Sequence, residues 1–310
     1  MSGWIERPTD ASPSAVKALK LDADEFVKLE RLSVAVKQRI RGTQQGRRRS
    51  RMAGSSLEFA DYRQYAPGDD VRQIDWNAYG RTGKPFVKLF LDERELTVHL
   101  YVDASASMNT GGVRGENKFV YARQLAACIG YMALAGYDLV SASFFGDRLT
   151  ARLPPLRGKG AIHRLIDFLH SAQPETQGDI AAALSIASLP RQPGMAWVFS
   201  DFWFESGVER ALSALVAARQ EVVAVQVLSP EELRPELAGD LRLIDVETGT
   251  DKEVAMSDAV LEKYRRALEQ YTTELRRFCH ARGIGYVLAT TDVPAFDWIA
   301  SVLRREGLIV

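Results

Sequence analysis

From residue 96 onward the chain alternates short apolar runs with longer segments of helical period, and this alternation restricts the possible folds more than any other feature. "TVHLYVD" reads as a strand. "NKFVYARQLAACIGYMALAG" reads as a helix with Phe119, Ala122, Leu125, Ala126, Ile129 and Met132 on one face, and "DLVSASFFG" as a second strand. Helical stretches follow at about 160–171 and 179–188. Then come "MAWVFSD" as a strand, "GVERALSALVAARQ" as a helix and "EVVAVQVLS" as a strand. A hairpin-like "LRLIDVETGTDKEVAM", a long helix over about 258–282, the strand "IGYVLATTD" and the helix "AFDWIASVLRR" complete the pattern. Apolar strands separated by helices predict an α/β fold with a mostly parallel, doubly wound sheet covered on both faces. Such sheets bind ligands at the carboxyl ends of their strands.

The preceding residues divide into two further segments. Residues 1–57 hold a polar tail of about 20 residues, an amphipathic helix over 24–41 with Phe26, Leu29, Leu32, Val36 and Ile40 at helical spacing, and a basic segment. Between Arg31 and Leu57 there are basic residues, among them "RRRSR" at 47–51, and no acidic one. Residues 58–95 are dense in aromatics and punctuated by the turn signals "PGDD" and "RTGKP", with "PFVKLFLDE" a candidate strand, so a small aromatic-rich β extension is expected there. The α/β domain is expected over 96–310.

Forty basic and forty acidic residues cancel, which removes any whole-molecule argument for a polyanionic partner. Cys128 and Cys279 have no metal or redox spacing and read as buried free thiols. The first residues, "MSGWIERPTDASPSAVK", lack the apolar core of a signal peptide, and no apolar run approaches the roughly 20 residues of a membrane span. A cytoplasmic protein is expected.

One strand ends in an unusual way. In "LTVHLYVDASASMNTGG", Asp103, Ser105 and Ser107 stand at every second position, with alanines between them and a glycine-rich loop beyond. If the chain curls after the strand, these side chains can converge, and carboxylate and hydroxyl oxygens suit a hard cation such as Mg2+ or Mn2+. Asp201, at the end of "MAWVFSD", is placed to add a second carboxylate. The plainer alternative is that Asp and Ser after a strand cap the next helix or satisfy loop backbone.

Asp103, Ser105, Ser107 and Asp201 together resemble the metal-ion-dependent adhesion site of a von Willebrand factor A domain. "EFADYRQYAPGDDVRQIDWNAYGRTGKPFVKLFLDERE", with Tyr65, Gly68, Asp69, Arg72, Asp75 and Trp76, resembles the hallmark of the domain of unknown function 58 family. The resemblance spans about residues 50–300. It implies a von Willebrand factor A-like fold and a non-enzymatic protein-binding adaptor, in which a partner's carboxylate completes the shell of the cation. It also implies association with a MoxR-type AAA+ ATPase in chaperone-like maturation or complex assembly. There is one departure: where the adhesion site has a Thr ligand, "TQGDIAAAL" places Gly178, leaving Thr176, two positions early, or Asp179 as substitutes.

Other features carry competing readings. In "FWF" at 202–204, Phe202 reads as core and Trp203 as a surface docking residue. Asp69, Arg72 and Trp76 are candidate partner-binding residues, against the alternative of a salt-bridged turn with a packed Trp. The Arg-rich run offers a nucleic-acid arm as a further alternative, although no aromatic lies within it to stack bases. No phosphate-binding loop or nucleophile elbow is present, and the four histidines are scattered. A metal-dependent phosphohydrolase remains the enzymatic alternative. It would require a nucleophilic carboxylate and a charge-stabilising Lys or Arg around the metal, and Ser105 and Ser107 supply neither.

Overall fold

The computed structural model describes residues 4–5, 23–32, 58–66, 71, 74–91, 96–174, 178–190, 192–235, 239–245, 251–256, 258–306 and 308. The chain divides into two compact units, Gln44–Glu95 and the remainder.

In chain order the elements are β1 (Trp4–Ile5), α1 (Ala23–Leu32), β2 (Glu58–Gln64), α2 (Trp76–Thr82), β3 (Phe86–Leu91) and β4 (Thr97–Asp103). There follow α3 (Lys118–Ala135), β5 (Leu139–Phe145), β6 (Leu149–Arg157), α4 (Ile162–Ser171), α5 (Ile180–Ala183) and β7 (Gly194–Ser200). The last are α6 (Val208–Ala217), β8 (Gln220–Leu228), α7 (Pro230–Leu233), β9 (Gly239–Asp245), β10 (Asp251–Met256), α8 (Asp258–Ala281), β11 (Gly285–Thr290) and α9 (Ala295–Trp298).

The larger unit is built on a six-stranded sheet of order β11-β8-β7-β4-β5-β6. All neighbours are parallel except β5 and β6. Every residue of β4 is buried, as expected of a central strand with both faces covered. One face packs Leu100 and Val102 against Phe119, Leu125 and Ile129 of α3. The other packs Tyr101, Ala196 and Val198 against Leu212 and Leu215 of α6 and Phe278 of α8. The predicted one-sided face of α3 proves too narrow, since nearly all of this helix is buried.

Three expectations change. The run at 149–157 carries no strand signal because Pro154 and Pro155 interrupt it, yet it forms β6; as an edge strand it tolerates the missing donors. The helix expected over 179–188 is only Ile180–Ala183. Trp4–Ile5, read as tail, pairs antiparallel with β9, which itself pairs with β10 as the expected hairpin. The basic run at 37–51 and the later part of the helix expected over 24–41 lie outside the described residues.

In the smaller unit β2 and β3 pair antiparallel with a bulge between Phe59 and Asp61. Asp75 caps α2, its Oδ1 accepting from the amides of Asn77 and Ala78 at 2.9 and 3.1 Å, and its Oδ2 accepts from the Tyr62 hydroxyl at 2.8 Å.

Candidate functional site

Strand order reverses between β4 and β7. From β4 the chain proceeds outward to β5 and β6, then returns to the other side of β4 to place β7, β8 and β11. The register pairs Val102 with Phe199, so Asp103 and Asp201 emerge at the carboxyl end of this crevice, the place where open α/β sheets bind ligands.

Asp103 is fully buried. Its Oδ1 accepts from the Ser105 amide at 2.8 Å, and its Oδ2 accepts from the Ser200 hydroxyl at 2.5 Å. Burial, reinforced by the neighbouring charge of Asp201, pushes its carboxyl up to about 7, while the Ser200 and Ser105 hydrogen bonds act in the opposite sense. Ser105 and Ser107 are also buried, with their hydroxyl oxygens 3.1 Å apart. The chain therefore does curl after β4, and it brings all three side chains of the triplet into one place.

Asp201 is fully buried and has both oxygens engaged. Oδ1 accepts from the Trp203 amide at 3.0 Å, and Oδ2 meets the ammonium of Lys118 at 2.7 Å. Lys118, also without solvent exposure, makes a second contact of 2.6 Å with Oε1 of Glu232. The other Glu232 oxygen accepts from the Ser229 amide at 2.8 Å in the capping box of α7. Burial alone would lower the pKa of Lys118, but the charges of Asp201 and Glu232 outweigh it and hold the ammonium above its ordinary value.

The glycine-rich loop explains how Lys118 reaches this point. The Glu116 amide donates to Thr291 O at 2.9 Å, and the Lys118 amide to Thr110 O at 3.0 Å. At Gly115 a Cβ would lie 2.7 Å from the Thr291 backbone. Only glycine permits so close an approach.

After Asp201 the backbone is strained. Phe202 has φ of 58°, an uncommon value for a bulky residue. It is held there by a fully buried ring, by its amide donating to Ser200 Oγ at 2.8 Å and by its carbonyl accepting from the Tyr271 hydroxyl. Trp203 is half-buried and stacks on Tyr271 at 5.1 Å between ring centroids.

Several sequence expectations fall elsewhere. Thr176, Asp69 and Arg72 lie outside the described residues. Asp179 caps α5, with Oδ1 accepting from the amides of Ala181 and Ala182. Gly178 does lie at the site, but a Cβ there would sit 3.0 Å from Ser105 Cβ and 2.8 Å from Phe204 Cε1. A threonine at that position has no room as the chain stands. Trp76 is not packed: it is 63% exposed on α2, edge-to-face with Tyr79.

The donor set can be compared with what Mg2+ requires. Adjacent oxygens of a Mg2+ octahedron stand about 2.9 Å apart, from Mg–O distances of about 2.0–2.1 Å, so the two hydroxyls are spaced for one edge. The same spacing suits an ordinary hydroxyl–hydroxyl hydrogen bond. Both oxygens of Asp201 already have partners, one of them an ammonium that it shares with Glu232, and Gly178 offers no side chain. Among the described residues no three His, Cys, Asp or Glu side chains form a group able to hold a metal. Among the described residues the expected set is therefore short of a free Asp201 oxygen and of a hydroxyl at position 178.

Sequence reasoning missed Ser200, Lys118 and Glu232. Lys118 did carry a signal: a charge opening a helix that is otherwise nearly all apolar must be paired if that helix is buried.

The model of the family described as "Protein of unknown function DUF58" matches residues 61–274. The chain belongs to this family. Uncharacterized protein Rv1480 of Mycobacterium tuberculosis is 32% identical over 280 residues, covering 89% of this DUF58 chain and 87% of its own. Uncharacterized protein MAV169 of Mycobacterium avium is 33% identical over 129 residues, 41% of this chain and 74% of its own. Among solved structures, the conserved hypothetical protein BatB from Bacteroides thetaiotaomicron is similar at 17% identity and a TM-score of 0.41, covering 68% of this chain and 98% of that one. An aerotolerance-related membrane protein from Bacteroides fragilis gives the same values. In this DUF58 chain no helix among the described residues is long and apolar enough to cross a membrane.

Proposed function

We propose that this chain is a protein-binding adaptor with a von Willebrand factor A-like fold, that it works in the cytoplasm, and that its contact face is the carboxyl end of β4 and β7. The observation that carries this reading is the convergence of Asp103, Ser105, Ser107 and Asp201 at the point where strand order reverses. Beside it, half-buried Trp203 and Phe204 border the site with aromatic surface suited to a protein partner. The resemblance to domain of unknown function 58 proteins supplies the partner class, a MoxR-type AAA+ ATPase, with chaperone-like maturation or complex assembly as the process.

The buried polar groups are better suited to holding a surface than to turnover. Ser105 and Ser107 hydrogen-bond to one another and are not approached by a histidine; His99, in the preceding strand β4, bonds Ser141 at 2.6 Å instead. Lys118 is the cation that phosphoryl transfer at this site would need, but two carboxylates hold it in a pocket closed to solvent.

The test is a binding titration of the purified full chain against a MoxR-type ATPase, with generic phosphoester turnover in Mg2+ measured in parallel. Saturable binding weakened by Trp203→Ala supports the adaptor. Absence of binding together with turnover abolished by Asp103→Ala replaces it with the phosphohydrolase.

A further inference from the structure

We infer that Lys118 is the resident cation of this face: its ammonium, fixed between Asp201 and Glu232, supplies to Asp201 the counter-charge that the resemblance assigns to a divalent ion, so the face is assembled without a dissociable metal. The inference deepens the adaptor reading of the same site, although its metal-binding half can be tested without any partner.

Three observations converge on it. First, the contacts of 2.7 and 2.6 Å are charge-assisted hydrogen bonds, and all three side chains are buried, Lys118 and Asp201 completely. Second, each carboxylate is oriented by a backbone amide on its other oxygen, Trp203 for Asp201 and Ser229 for Glu232, so the ammonium meets a preformed pair of anions. Third, Lys118 is the first residue of α3, where the partial positive charge of the helix N-terminus opposes a cation. Local helix energetics therefore disfavour a lysine here, and its position is explained by the two carboxylates alone.

The replacement also accounts for Gly178. A divalent ion would take a further oxygen from that loop or from water, whereas an ammonium held by Asp201 and Glu232 takes none. The loop can then pack directly against Ser105 and Phe204. The cation reaches across the molecule, joining the start of α3 to the end of β7 and to α7, residues separated by 83 and 114 positions in the chain.

The experiment is a calorimetric titration of Mg2+ and of Mn2+ into the full chain, with melting curves in each metal and in EDTA. The wild type is expected to give no saturable heat and a melting temperature indifferent to metal and chelator. Lys118→Met is expected to melt lower and to regain part of the loss in Mg2+ or Mn2+, because a divalent ion can then neutralise the unpaired carboxylates of Asp201 and Glu232. Saturable binding to the wild type, lost in both Asp103→Ala and Asp201→Ala, overturns the inference. So does a folded Lys118→Met variant that metal does not rescue. If Lys118→Met does not fold, Lys118→Met with Glu232→Gln removes one of the two opposing charges and is read by the same criteria. Failure of ATPase binding in both EDTA and Mg2+ counts against the adaptor reading and leaves these metal outcomes unaffected.

Discussion

Asp201 and Lys118 show why residue type alone does not assign a role. A buried carboxylate at a strand end is a natural cation ligand, but here an ammonium 2.7 Å away, shared with Glu232, already serves as its counter-ion. Removing one partner of such a pair strands the other. Lys118→Met should therefore destabilise the chain by about 3–5 kcal/mol in urea unfolding. Lys118→Met combined with Asp201→Asn should cost clearly less than the sum of the single changes, since the two residues share one interaction. A second residue prediction concerns His99. Burial lowers its pKa to about 4, with Nδ1 bonded to Ser141 and no hydrogen-bond partner at Nε2 among the described residues. The folded state keeps this imidazole neutral, while the unfolded chain takes up a proton below about 6.5. Its contribution is therefore fully present above pH 6.5 and is lost as pH falls toward 4, by up to roughly 3 kcal/mol. Asp103, whose carboxyl is raised, contributes a slope of opposite sign in the same window, so the difference in denaturant stability between wild type and His99→Gln at several pH values is what should follow the His99 slope.

At the scale of elements, the legible features were those with a period. β4 runs Thr97–Asp103, the span read from "TVHLYVD", and α3 and β11 match their patterns within a residue or two. What escaped was set by edges and packing. β6 is hidden by Pro154 and Pro155, and α5 stops after four residues although the helical pattern continues to 188. The α5 approach also decides the fate of the missing threonine. Gly178→Thr, the substitution that would restore the adhesion-site pattern, should destabilise by about 1–3 kcal/mol in thermal unfolding, because its Cβ meets Ser105 and Phe204. Gly178→Thr with Phe204→Ala should recover part of that loss, since the 2.8 Å clash is with the Phe204 ring.

For the whole molecule, a sheet covered on both faces makes its central strands the last to open. Amides of β4 and β7 should exchange with solvent only through global unfolding, whereas those of the proline-broken edge strand β6 should exchange faster; hydrogen exchange read by mass spectrometry or NMR checks this order. The sequence by itself determined the alternation of strands and helices in the larger unit and the emergence of Asp103 and Asp201 from strand ends, because periodicity and burial are local consequences of which side chains avoid water. It also carried the family hallmark in residues 58–95, within which Asp75 caps α2. Only the tertiary structure decided that β7 lies against β4, that Gly178 closes on Ser105, and that Lys118 lands between Asp201 and Glu232. Charges from three distant segments are brought together by crossovers and loop closure, and no local pattern of residues specifies which of them will meet.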